Sequence, residues 1–153
     1  MQQPTSGDFN QQVTTMQIII GALAMGPLTF ALVALLTARG EPTEGPLTKI
    51  ALVMGLGAIF LSGPVRRLLQ AKAQNSAYPI GVYQTALIVS AAILEGGVLM
   101  NLVAHMQERS NWTLAMAALL WVSLLLKMPT RAGVTRWLEQ EGRRQRDEAV
   151  LRG

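Results

Sequence analysis

One carboxylate stands in the apolar stretch AAILEGGVLMN, Ala91 to Asn101, and between Lys72 and Glu108 no other Asp, Glu, Lys or Arg occurs. Two kinds of chemistry suit such a group. Glu95 can bind and release a proton or small cation inside a membrane, or it can form a hydrogen bond that fixes the register of packed helices. It lies near the middle of its segment, about as far from Gly81 as from Arg109 at roughly 1.5 Å per residue, so it cannot reach the headgroups. An ionised carboxylate at that depth costs at least about 2.5 to 3.5 kcal/mol, so Glu95 is expected to face protein or water. A neutral acid there needs an acceptor as well as donors. Pro27 has no amide proton and frees the carbonyl of Leu23, at a similar depth, to accept the acid's proton. Thr29, Trp121 and Ser123 are the candidate donors at that level.

No second constellation offers chemistry. His105 is the single histidine and there is no cysteine, so three or four convergent soft ligands cannot form, and no metal or other cofactor is expected. One turn above Asn101, His105 reads as an interfacial, water-bonded side chain. The glycines of GLGAIFLSG lie in an apolar run and make a packing surface instead of a phosphate loop. The eight methionines have no ligand spacing and read as filler. The chain is expected not to be an enzyme.

The elements that must position Glu95 are long and apolar. Half of the 153 residues are hydrophobic and 14% are charged, too apolar a balance for a soluble domain of this size. Four segments nearly free of charge can span a bilayer, at about 16–36, 48–64, 80–105 and 112–128. The second is the shortest and needs its flanks to reach the headgroups. The first reads as a retained span, because no Lys or Arg precedes it and it exceeds a signal-peptide core. A net charge of +4 raises the possibility of nucleic-acid binding, but the basic residues flank apolar runs and line no aromatic groove. With both termini in the cytoplasm, ten of the thirteen Lys and Arg fall on the inner side, including Arg66, Arg67, Arg131 and Arg136. Trp112 on the outer side, with Tyr78, Tyr83 and Trp137 on the inner, fits interfacial aromatic belts.

Internal similarity organises the spans into two hairpins. At an offset of 70 residues Ile18 matches Ile88, Ala22 matches Ala92 and Gly26 matches Gly96; at an offset of 65, Thr48 matches Thr113, Pro64 matches Pro129 and Arg66 matches Arg131. Met25 is then the apolar counterpart of Glu95. Small residues four apart let helix backbones approach closely, which drives association in lipid. Ala22 and Gly26, Ala92 and Gly96, and Ala51 and Gly55 are therefore expected to pack the first three helices together at their middles.

The run AAILEGGVLMNLVA resembles the ion-site helix of the c (proteolipid) subunits of rotary ATPases, four-helix members of which are built from duplicated hairpins. That resemblance implies that Glu95 binds and releases a proton or Na⁺ while facing a stator. The chain departs from the family in carrying its acid on the third helix instead of the last, in shortening the alternating-glycine run to Gly55-x-Gly57, and in placing its short loops outside. The layout, with YQTALIVSAAILEG and MPTRAGVTRWLEQ, also resembles small uncharacterised four-helix bacterial membrane proteins, which implies the bacterial cytoplasmic membrane but no activity.

The ends are different in kind. Residues 1–12 are polar and expected to be poorly ordered. Residues 130–153 carry Val134, Trp137 and Leu138 on one helical face among Arg and Glu, the pattern of an amphipathic helix on the cytoplasmic leaflet or against a partner. The expectation is an all-α bundle of four transmembrane helices spanning residues 13–129, in contact with lipid and assembled with itself or with a larger membrane complex. Glu95 either holds helix packing or carries an ion.

Overall fold

Proline opens two of the long helices and is carried inside two. In the computed structural model, which describes residues 6–37, 40–43, 45–72 and 78–152, the order is α1 (Ser6–Thr37), α2 (Pro46–Ala71), α3 (Pro79–Glu108), α4 (Asn111–Leu125) and α5 (Arg131–Arg152). Pro46 and Pro79 begin α2 and α3, where the missing N–H is no loss. Pro27 and Pro64 sit within α1 and α2. No strand occurs among the described residues.

Three helices, Phe9–Thr37, Pro46–Ala71 and Pro79–Glu108, are long and apolar enough to cross a membrane. The fourth apolar segment is shorter than its sequence implies. α4 has 15 residues, about 22 Å of helix against a hydrocarbon core of about 30 Å. Its run of 112–128 leaves the helix at Leu125, four residues before Pro129, whose ring disfavours helix in the residue ahead of it. Conversely α2, the shortest expected span, runs on through Pro64, Arg66 and Arg67 to Ala71. The two helices paired by the internal similarity thus differ in length.

α3 is the hub, touching α1, α2 and α4 and burying the largest share of its surface. The closest seam is with α2, whose buried side is Thr48, Ala51, Gly55, Ala58 and Ser62, at helical spacing. A β-carbon on Gly97 would stand 3.0 Å from the Cβ of Ala58. One on Gly55 would stand 2.8 Å from both Asn101 Nδ2 and Met116 Cγ. Glycine at both positions is what lets α2, α3 and α4 come together here.

The far ends of α2 and α3 are tied to each other. Glu108 accepts the amide protons of Leu47 (3.0 Å) and Thr48 (2.7 Å), so the last residue of α3 caps the first turn of α2. A side chain at Gly45 would overlap that carboxylate. Arg109 closes α3 in the left-handed conformation, φ 52°, with its guanidinium on the carbonyl of Gly40.

Two terminal expectations change. α1 is already helical at Ser6, so 6–12 are ordered helix, and only 1–5 of the expected loose segment lie outside the described residues. Burial explains the order. Phe9, Val13 and Met16 join an apolar cluster with Tyr83, Val134, Trp137 and Leu138, and Gln17 Nε2 donates to the carbonyl of Pro129 at 3.0 Å. The apolar face of α5 is therefore occupied by the protein's own bundle, and the helix continues past Gly142 to Arg152.

Candidate functional site

Glu95 occupies the middle of α3 on the side toward α1. Its Oε1 lies 3.4 Å from the place of a β-carbon on Gly26, an ordinary packing distance, and the side chain is half-buried. It makes no hydrogen bond or ion pair with any described residue. None of the four expected partners meets it. Thr29 Oγ donates to its own helix at the carbonyl of Met25 (3.1 Å), and Ser123 Oγ does the same to Leu119 (2.8 Å). Trp121 does find an acceptor beside Pro27, but the carbonyl is that of Ala24, at 2.9 Å, one residue beyond Leu23. This bond joins α4 to α1, and an apolar cleft of about 170 Å³ opens beside it between Pro27, Ala31, Val98, Leu102, Leu114 and Trp121.

The residues around the acid are small and open. Ala22, Gly26, Ala92 and Gly96 are all exposed, and nothing lies within 4 Å of the β-carbon position at Gly96. Gly26 meets α3 only through Glu95; Ala22, Ala92 and Gly96 lie open, and Ala51 and Gly55 are buried on α2. The reason is helical phase. α3 turns Gly97 toward α2, and a step of one residue rotates its neighbour Gly96 by about 100° away from that seam.

Sequence reasoning passed over a fully buried polar group at the α2–α3 seam. Asn101 is 0% exposed; its Nδ2 donates to the carbonyl of Ala51 on α2 (2.9 Å) and to that of Gly97 in its own helix (2.9 Å). An amide six residues from the acid, in a run otherwise apolar, was the available signal. His105 is also buried, with a backbone carbonyl against its ring. Its Nδ1 sits 3.0 Å from the carbonyl of Ser110, which also accepts Thr113 Oγ at 2.7 Å, so the α3–α4 turn is closed by side chains. Among the described residues no three His, Asp or Glu converge as metal ligands.

At the opposite end of α3, Arg66 donates to the hydroxyl of Tyr83 (3.0 Å) with its guanidinium 5.3 Å from the ring centre. Tyr83 in turn packs against Trp137, ring centres 5.0 Å apart and planes tilted by 49°. Arg67, Arg131 and Arg136 are exposed.

Three helices long and apolar enough to cross a bilayer, packed around α3, are compatible with a multi-pass helical membrane protein. Comparison with known protein families, with curated proteins and with solved structures finds no match for the chain.

Proposed function

We propose that this protein is a non-enzymatic, accessory or structural subunit of a membrane assembly, in which Glu95 meets a neighbouring subunit. In this reading α4 completes a fourth crossing with the apolar turn that follows it, the two hairpins descend from one duplicated unit, and both termini face the cytoplasm of a bacterium. The ten-to-three division of Lys and Arg between the two sides supports that orientation. The observation that carries the proposal is a half-buried carboxylate without a partner among the described residues, set among exposed small residues. Lipid cannot satisfy such a group, whereas a helix packed against Ala22, Gly26, Ala92 and Gly96 can bring it a donor at close range.

Cysteine crosslinking in membranes tests it. Pairs at Ala22 and Ala92 should crosslink between subunits, and Gly96→Trp should abolish the product while the monomer stays folded. Undiminished crosslinking in Gly96→Trp, or none in the parent, would exclude this face as an interface.

The same openness favours a second reading, in which Glu95 carries a proton or cation. Vesicles holding the Glu95→Gln protein should then lose an acid-driven dye response that the parent shows. Equal responses would remove the carrier reading and leave the assembly reading intact.

A further inference from the structure

At the end of α3 away from Glu108, where α1 runs beside it, Gln11, Gln12 and Thr15 of α1 and Gln84 of α3 line one notch of about 300 Å³. Gln11 and Gln12 each stand one turn from Thr15, so the three share a face of α1, and the helical start at Ser6 carries that face alongside α3. The notch is separate from the acid, about 16 Å from Glu95 along α3 at roughly 1.5 Å for each residue after Gln84.

Its polar groups are uncommitted. Gln12 and Gln84 are half-buried, yet none of the side-chain amides of Gln11, Gln12 and Gln84 bonds to a described residue. Gln17 of the same helix shows the contrast, since its Nε2 is already given to the Pro129 carbonyl. Thr15 Oγ donates to the Gln11 carbonyl at 2.9 Å and keeps its lone pairs as acceptors. Each carboxamide adds two N–H donors and a carbonyl acceptor. Among the described residues no charged side chain lines the notch, neither the arginines of α2 and α5 nor Glu139 and Glu141 of α5.

A ligand suited to such walls is neutral and both donates and accepts. Adjacent hydroxyls do so, one oxygen accepting from the amide N–H while its neighbour donates to the amide carbonyl. Depth narrows the source. Gln11, Gln12 and Thr15 come just before the charge-free run that begins at Met16, and Gln84 follows Tyr83, whose hydroxyl holds Arg66 at 3.0 Å. The notch therefore stands at the border of the apolar helices, where lipid headgroups lie. Its volume is at the lower end of the range of small-ligand pockets, suited to a single small headgroup.

We infer that this notch binds a neutral polyhydroxyl group, presented by the sugar headgroup of an uncharged lipid. The site needs neither Glu95 nor a neighbouring subunit.

The full chain, in a detergent whose head carries no sugar, is titrated with glucosyl-diacylglycerol, with diacylglycerol and with free glucose, following Tm and adducts in native mass spectra. A saturable rise in Tm with the glucosyl lipid and not with diacylglycerol is expected. Gln84→Leu should weaken it by about five- to tenfold, the share of one or two neutral hydrogen bonds. Gln12→Leu should do the same from the other helix, and it is the deciding variant if Gln84→Leu fails to fold. Gln140→Leu, at an exposed position of α5 outside the notch, should leave the response unaltered. An equal saturable response to free glucose, lost in Gln12→Leu, keeps the site and assigns it to a soluble polyol. Wild-type affinity in Gln12→Leu, an equal loss in Gln140→Leu, no discrimination against diacylglycerol, or no saturable response to either sugar probe overturns the site.

Discussion

The two sides of α3 use the same vocabulary and reach opposite ends. Toward α2 it presents Gly97 and Asn101 to Ala51, Gly55 and Ala58, and the buried amide is bonded through its Nδ2, while its Oδ1 has no partner among the described residues. Toward α1 it presents Glu95 with Ala92 and Gly96 near Ala22 and Gly26, and here the small residues are exposed and the acid has no partner among the described residues. A small residue near a polar one is thus not in itself a packing device. It becomes one when the partner helix arrives in phase, so that the space left by the missing side chain is filled by a backbone whose carbonyl the polar group can use.

The seam is the place to break this comparison most severely. Gly55→Val would drive its methyl groups into Asn101 and Met116, and overpacking of that kind should cost about 1 to 3 kcal/mol, seen as earlier unfolding in an SDS titration of the purified protein. Gly96→Val, on the open side, should unfold with the parent within about 0.5 kcal/mol, as a change at an open position does. Similar losses in both would mean that α1 packs over Gly96 and that the contrast is mistaken.

Next in size is Asn101→Leu. It fills the same seam with a side chain of similar volume but withdraws the donor from Ala51, so the expected loss is about 0.6 to 1.7 kcal/mol, the span of hydrogen bonds between membrane helices. An equally stable Asn101→Leu protein would show that the glycines alone hold α2 to α3.

How far this division could be read in advance depends on phase. The helices, their apolar character and the α2 stripe Ala51, Gly55, Ala58, Ser62 follow from spacing, because one face of α2 carries the small residues and the other carries Val53, Phe60 and Leu61. On α3 two glycines are adjacent, and sequence gives no reason to prefer Gly97 over Gly96; the match of Gly96 to Gly26 pointed to the outer one. The end of α4 before Pro129 had a local signal, whereas the helical start of α1 at Ser6 goes with the burial of Phe9 and Val13 in the apolar core, which no local pattern states. Glu95 was legible as an exception, and its lack of a partner was not, because Thr29 and Ser123 satisfy themselves within their own helices.

Trp121 offers a smaller and sharper test, since it supplies to α1 the polar bond that Glu95 does not. Trp121→Phe keeps most of the ring and removes the N–H donated to Ala24, so a loss of about 0.5 to 1.5 kcal/mol is expected from one neutral hydrogen bond. Because Pro27 already leaves the neighbouring Leu23 carbonyl without a helical donor, α1 should loosen locally, with faster amide exchange around Ala24 to Leu28 than in the parent. Unchanged exchange in that segment would place the hold on α1 elsewhere, in its Val13 to Ile20 contacts.

The smallest expected effect is at Glu95 itself. With no bond to lose among the described residues, Glu95→Gln should leave the unfolding of the detergent-solubilised monomer within about 0.5 kcal/mol of the parent, the range of changes that break no intramolecular contact. The side chain keeps its volume against Gly26, so packing is preserved as well. A role in locking the monomer's helix register requires the opposite result, because withdrawing an acid that bonds α3 to α1 or α4 would cost the bundle what Asn101→Leu costs the seam. Any effect of Glu95→Gln that appears only in the membrane-embedded assembly then belongs to a contact outside the monomer, which is where an acid without an internal partner must find its donor.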